Sequence, residues 1–214
     1  MYPASKELNE KIAKGTTTIG VACKDGVVFA TDTRATMGYF VAHKNAKKVY
    51  PIADHIAMTI AGSVADAQAM VDILKANSRI YNLQNGLLMP VSAAARLVAN
   101  ILFSSRLMPF ILQALIGGVD STGPKVFALD PLGSLTEETC VSTGSGSPIA
   151  YGVLETQFKE GMSIKETIPI VLKAITSAMK RDAASGDNFD IAIVTKDGYR
   201  ELSEEEKKTL VSKN

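Results

Sequence analysis

Two stretches far apart in the chain carry the same turn chemistry, and together they constrain the fold more than any other feature. Residues 16–23 run into Lys24-Asp25-Gly26 and then 27–33, while 189–195 run into Lys196-Asp197-Gly198 and then 199–202. Asp-Gly between alternating apolar runs closes a tight hairpin, because glycine accepts the positive φ that such turns need. The chain is thereby committed near both ends to antiparallel sheet. Residues 47–51 and 55–61 read as another strand pair. Residues 113–120, 125–130 and 134–141 read as a three-strand meander, with turns at Ser121-Thr122-Gly123-Pro124 and Pro131-Leu132-Gly133. About nine or ten strands are expected.

Between the strand groups the period changes to that of a helix. Ala67, Met70, Val71 and Leu74 mark one stripe; Val91, Ala94, Ala95, Val98, Ile101 and Leu102 mark a second. A third helix is expected from Ser147-Pro148 and a fourth from Ser163, where Ser163 and Glu166 fit a capping box. Pro169, inside the fourth, predicts a bend. Ser203 and Glu206 fit a cap for a final helix over 204–210, with a loose tail as the alternative. Strands grouped with strands and helices with helices argue for α+β layers, antiparallel sheets covered by helices. At 214 residues, 46% of them hydrophobic, the chain fits one unit better than two.

The 23 basic and 22 acidic residues nearly balance, which favours neither nucleic acid nor an anionic membrane as partner. Residues 1–15, MYPASKELNEKIAKG, are charged throughout and lack the apolar centre of an export signal. The longest apolar stretches are interrupted by Arg96 and Gln113 and fall short of the ~20 residues that span a bilayer. The expectation is a cytoplasmic protein. Cys23 and Cys140, each in an alternating stretch, are expected as buried thiols rather than a disulfide or metal pair.

Common catalytic signatures are absent. Residues 118–123 have the spacing of a phosphate-binding loop, but Pro124-Lys125 replaces its Gly-Lys-Ser/Thr. His43 and His55, on no ligand spacing, offer neither a metal site nor a Ser-His-Asp triad. Gly144-Ser145-Gly146-Ser147, taken alone, is a capped loop before a helix. Gly15-Thr16-Thr17-Thr18 stands at the junction of the charged leader and the first strand, and a threonine run there is bland in isolation. Its company gives it weight: Asp32 ends the partner strand, Lys48 lies in the next, and Gly62 stands where strand 55–61 gives way to a helix. Lys47 and Lys48 add a parity argument. Consecutive strand residues point to opposite faces, so one lysine of the pair is forced inward if that face is covered, and Asp32 is the carboxylate available to it.

These motifs resemble those of the 20S proteasome β-subunit family of N-terminal nucleophile hydrolases. The matching stretches are 15–20, 30–34, 43–48, 60–66, 142–147 and 181–186, and the resemblance covers nearly all of residues 15–202. It implies a four-layer αββα sandwich, two antiparallel sheets between helix layers. It implies residues 1–15 as a propeptide removed autocatalytically between Gly15 and Thr16, and 16–214 as a single peptidase domain. Glycine at 15 is expected because the backbone there must bend tightly. Thr16 is implied as nucleophile, Asp32 and Lys48 as its partners, Gly62 as oxyanion donor, and Ser145, Asp182 and Ser185 as a supporting network.

Lys48 rather than Lys47 then becomes the inward lysine. Pocket positions fall on Ala35, Thr36, Ala46, Ile60 and Val64, all uncharged, which implies cleavage after large hydrophobic residues. No cofactor and no metal are called for. The implied partners are other β subunits in a seven-membered ring, α-type subunits, and unfolded polypeptides delivered by a regulatory ATPase. Two departures, Pro169 and Asp187, touch shape rather than chemistry. A catalytically silent structural β subunit is the alternative. The related bacterial threonine peptidase of six-membered rings is shorter, and the Ser185-Gly186 turn also favours the proteasome.

Overall fold

The computed structural model describes residues 15–212; the leader apart from Gly15 lies outside them. The first hairpin is β1 (Thr18–Cys23) and β2 (Gly26–Asp32), and its counterpart is β11 (Phe189–Thr195) and β12 (Gly198–Glu201). They join through antiparallel pairing of β2 with β11, and β10 (Cys140–Thr143) adds to the outer side of β1. Sheet 1 is thus ordered β10-β1-β2-β11-β12. Sheet 2 is a five-stranded antiparallel meander of β5 (Val49–Ala53), β6 (Ile56–Gly62), β7 (Leu112–Asp120), β8 (Gly123–Leu129) and β9 (Leu135–Glu138). A separate small hairpin, β3 (Ala35–Met37) and β4 (Phe40–His43), lies between the first two strand pairs in sequence.

Strand parity sorts the core into three layers. In β1, β2 and β11, Ile19, Val21, Val28, Ala30, Ile191 and Ile193 face α3 (Ser147–Gln157) and α4 (Ile164–Arg181). Their alternates Val27, Phe29, Ala192 and Val194 meet Ala57, Leu115 and Val126 of sheet 2. On the far side of sheet 2, Ile56, Met58, Ile60, Ala114 and Ile116 pack under α1 (Val64–Asn85) and α2 (Val91–Ser104). The result is the expected αββα sandwich. Phe29, wholly buried between the sheets, contributes about 1.5–3 kcal/mol of transfer free energy.

Helix ends follow their chemistry. Ser163 and Glu166 form the full capping box of α4, and the helix runs unbroken past Pro169. Ser203 and Glu206 exchange bonds in the same way before α5 (Glu204–Ser212), so the tail is helical rather than loose. Asp120, at the end of β7, caps α2 by accepting the Val91 amide at 2.9 Å.

Two strand readings need correction. Residues 134–141 are not one strand: β9 closes sheet 2, and after Thr139 the chain passes to sheet 1 as β10, paired with β1. The β3–β4 hairpin was missed, which brings the strands among the described residues to twelve. Both cysteines are free, as expected, but Cys140 is only half-buried. Burial pushes the Cys23 thiol to about 11 and the Cys140 thiol to about 12, which keeps both protonated. No helix among the described residues is long and apolar enough to cross a membrane.

Candidate active site

The site forms where one end of sheet 1 meets sheet 2. Asp32, the last residue of β2, is completely buried, and both carboxylate oxygens are engaged. Oδ1 accepts the Thr17 amide at 2.9 Å and Lys48 Nζ at 2.7 Å; Oδ2 accepts the amides of Arg34 at 3.1 Å and Gly186 at 3.0 Å. One side chain therefore ties together the start of β1, the end of β2, the 182–188 loop and sheet 2. Four donors around a carboxylate are what makes its burial tolerable.

Lys48 precedes β5 rather than lying in it, but its carbonyl still accepts the Ile60 amide at 3.1 Å. That bond keeps the segment extended beside β6, so the parity argument holds. The Lys48 side chain is 8% exposed and that of Lys47, 49%. Lys47 pairs instead with Glu201 of β12 at 2.5 Å. Burial pulls the Lys48 ammonium below its usual range, and the charge of Asp32 only partly offsets this.

Thr16 is itself buried, and its Oγ1 lies 2.5 Å from the carbonyl oxygen of Gly15, to which it donates. Its amide donates to Ser145 Oγ at 3.3 Å. Ser145 and Ser185 both donate to Asp182 Oδ2, at 2.5 and 2.6 Å. With the Ser185 proton so committed, Thr17 Oγ1 is the donor in its 2.8 Å contact with Ser185. The structure thus brings Thr16, Asp32, Lys48, Ser145, Asp182 and Ser185 together.

Gly62 ends β6 with φ 140°, and a Cβ there would lie 2.1 Å from the Ile111 carbonyl oxygen. It lines a cleft with Thr16 and Lys48, and all five expected pocket residues, Ala35, Thr36, Ala46, Ile60 and Val64, line the same cleft. Gly15 forms part of its wall as well, so its volume of about 70 Å³ belongs to the chain with the Gly15–Thr16 bond intact.

Close approach gives a reason for glycine at 15. A Cβ there would fall 1.7 Å from Ala184 Cβ and 2.5 Å from Ala184 Cα, so the 182–188 loop excludes a side chain.

Two contributors escaped sequence reasoning. Arg34 Nε contacts Asp187 Oδ2 at 2.8 Å and its NH1 donates to Ala183 O at 2.9 Å, which clamps the loop that carries Asp182 and Ser185. The bond to Arg34 holds the Asp187 carboxyl below its usual range. Asp187 sits in the left-handed region, φ 65°, which aspartate tolerates better than most residues. The opposite charges of Arg34 and Asp187 were visible, but 153 residues separate them.

Two antiparallel sheets between helix layers, with a threonine, a buried lysine–carboxylate pair and a serine–aspartate network at one edge, define the fold of the N-terminal nucleophile hydrolases. A family model described as "Proteasome subunit" matches residues 12–194. The chain is 50% identical over 203 residues to a proteasome subunit beta of Methanosarcina barkeri, covering 94% of this chain and 96% of that one. It is 52% identical over 201 residues to that of Methanothermobacter thermautotrophicus, with 93% and 96% covered. With that of Methanocaldococcus vulcanius it shares 55% over 195 residues, with 90% and 87% covered. This chain belongs to the proteasome subunit family.

Proposed function

We propose that this chain is a catalytic β subunit of the 20S proteasome core, a peptidase whose nucleophile is Thr16 once residues 1–15 are removed. The observation that carries the reading is the convergence of Thr16 with the buried Lys48–Asp32 pair at the head of an apolar cleft. Exposed apolar side chains such as Tyr39, Phe40, Leu107 and Met108 support assembly with further subunits. A seven-membered β ring, α-type partners and delivery of unfolded chains by an ATPase belong to the same proposal.

In the unprocessed chain the Thr16 nitrogen is a peptide amide and supplies no base. Lys48, paired with Asp32, lines the same cleft as Thr16 and favours the negative charge that develops on the Thr16 hydroxyl oxygen, while the hydroxyl proton passes to the Thr16 nitrogen as it becomes an amine. Thr16 Oγ1 attacks the Gly15 carbonyl carbon, the Gly15–Thr16 C–N bond breaks to leave an ester, and water hydrolyses that ester. The freed α-amine, with an unperturbed pKa of roughly 7.7–8.0, then serves as base in peptide hydrolysis. Lys48 next to the hydroxyl favours the developing alkoxide. The Gly62 amide is the donor to the tetrahedral oxyanion, a role whose loss costs about 2.7–4 kcal/mol. The Ser145–Asp182–Ser185 relay holds the Thr16 nitrogen in place.

The test is intact mass and turnover of assembled particles. Wild-type chains begin at Thr16 and hydrolyse peptides; Thr16→Ala chains keep the leader and fall to background, whereas Thr16→Ser retains part of the activity. Wild-type particles that keep Met1, or turnover by clean Thr16→Ala particles, would show a silent subunit or another nucleophile.

A further inference from the structure

Thr16 borders a second cleft, which shares no other lining residue with the first. It measures about 320 Å³, and its walls are Ala61, Leu112, Gln113, Pro131, Gly144 and Ser145. The attacked carbon of a peptide has chain on both sides. If the residue before the cut sits in the apolar cleft, the chain after the cut must leave Thr16 the other way, across Ser145 and into this second space.

Most of the cleft wall is apolar or backbone. Leu112 is buried, Pro131 offers no amide hydrogen, and Gly144 lies so close to Thr16 that a Cβ on it would fall 2.1 Å from the Thr16 carbonyl oxygen. Gln113 is different. It stands on β7 opposite Ala61 of β6, on the exposed side of a strand whose flanking residues Leu112 and Ala114 are buried. Its Oε1 accepts the Gly144 amide at 3.3 Å, which fixes which end of the carboxamide turns toward the loop. The Nε2 group is left with two N–H donors that no described residue accepts. A polar side chain with its acceptor used inside the fold and its donors at a cleft suits a hydrogen-bond acceptor, and the acceptor that every stretch of a polypeptide substrate presents is its peptide carbonyl.

We infer that this second cleft binds the departing part of the substrate, with Gln113 Nε2 donating to a backbone carbonyl of the residues that follow the cut. The inference rests on the proposed role of Thr16. Because the recognition is of backbone, it imposes no particular side chain after the cut. The size of the cleft, against the narrow one before the cut, allows for this.

Two substrates with the same residues before the cut separate the possibilities. One ends in a dye amide directly after the cleaved residue, and the other continues for three amino acids to a quencher. Gln113→Glu keeps an oxygen for the Gly144 amide and removes both Nε2 donors. In assembled particles it should lower kcat/KM for the extended peptide about five- to tenfold more than for the dye amide, mainly through KM. Equal losses on both substrates would overturn the inference and make Gln113 a support for the Gly144–Ser145 loop. No loss on either would leave the cleft without a role for Gln113. Gln113→Met, of similar volume, repeats the comparison if the added charge disturbs assembly. Absence of wild-type turnover on both substrates, judged against Thr16→Ala particles, would instead count against the proposed function itself.

Discussion

Sheet 1 and sheet 2 each have five antiparallel strands and each turns one apolar face to the other, yet their edges at Thr16 hold different chemistry. Sheet 1 and the loops around it supply Thr16, Asp32, Ser145, Asp182 and Ser185. Sheet 2 supplies Gly62, Ile60 and Gln113, a backbone turn and the walls of two clefts. Lys48 leads into sheet 2 but pairs with Asp32 of sheet 1, a buried charged link between them beside the exposed one of Lys47 and Glu201. On the function proposed above, the contrast is a division of labour: proton handling on one sheet, substrate shape and the Gly62 oxyanion donor on the other. Changes on the first side should act on kcat, and changes to the cleft walls of the second on KM and preference.

The largest effect should come from breaking the link. Lys48→Arg places a planar guanidinium where a compact ammonium is packed against Asp32, and turnover should fall by at least about a hundredfold although the charge is kept. Residual activity within a few-fold of wild type would show that charge alone suffices. A smaller effect is expected from Ile60→Glu on sheet 2. Peptides cut after Leu or Tyr should lose kcat/KM, and those cut after Arg should gain relative to them, a shift of about tenfold in the ratio. A uniform loss across all peptides would place Ile60 with the catalytic group instead.

The smallest concerns a carboxylate of sheet 2 that does no chemistry. Burial pushes the Asp120 carboxyl up, but bonds from Thr122 and from the Val91 amide outweigh it, so its folded pKa lies below its unfolded one. Its stabilisation is then complete above the unfolded value of about 3.9 and is lost as pH falls through the folded one. Asp120→Ala should cost about 1 kcal/mol at neutral pH, with hydrolysis unchanged, and the gap in Tm to wild type should narrow as pH falls from the unfolded value through the folded one. A gap that persists in acid would mean that packing, not the cap, is lost.

The sequence was most legible where chemistry is local. The Asp-Gly hairpins, the Ser163–Glu166 box and the helical stripes each declare themselves within a few residues, and all are present. Lys48 was half legible: parity demanded one buried lysine, and the resemblance chose which. The break at Thr139 was not, because no glycine or proline marks it; the partner strands decide it, and they lie more than a hundred residues away on the β1 side. Gly38 between Met37 and Tyr39, with φ 61°, was the available sign of the missed hairpin. Gln113 showed only as an interruption in an apolar run, since its relation to Gly144 exists only once β7 and the loop before α3 are folded together.

The contact between Gly15 and Ala184 also restricts how this chain can change over generations. Every amino acid other than glycine has a Cβ, so any missense change at position 15 meets the same obstruction. Trimming Ala184 to glycine would not clear the way, because its Cα and carbonyl oxygen lie 2.5 and 2.6 Å from that point. The loop itself cannot easily step aside while Asp32 holds the Gly186 amide and Arg34 holds Ala183 and Asp187. Position 15 is closed to drift by a neighbour's backbone, even though, on the reading proposed above, the residue is discarded before the subunit begins to work.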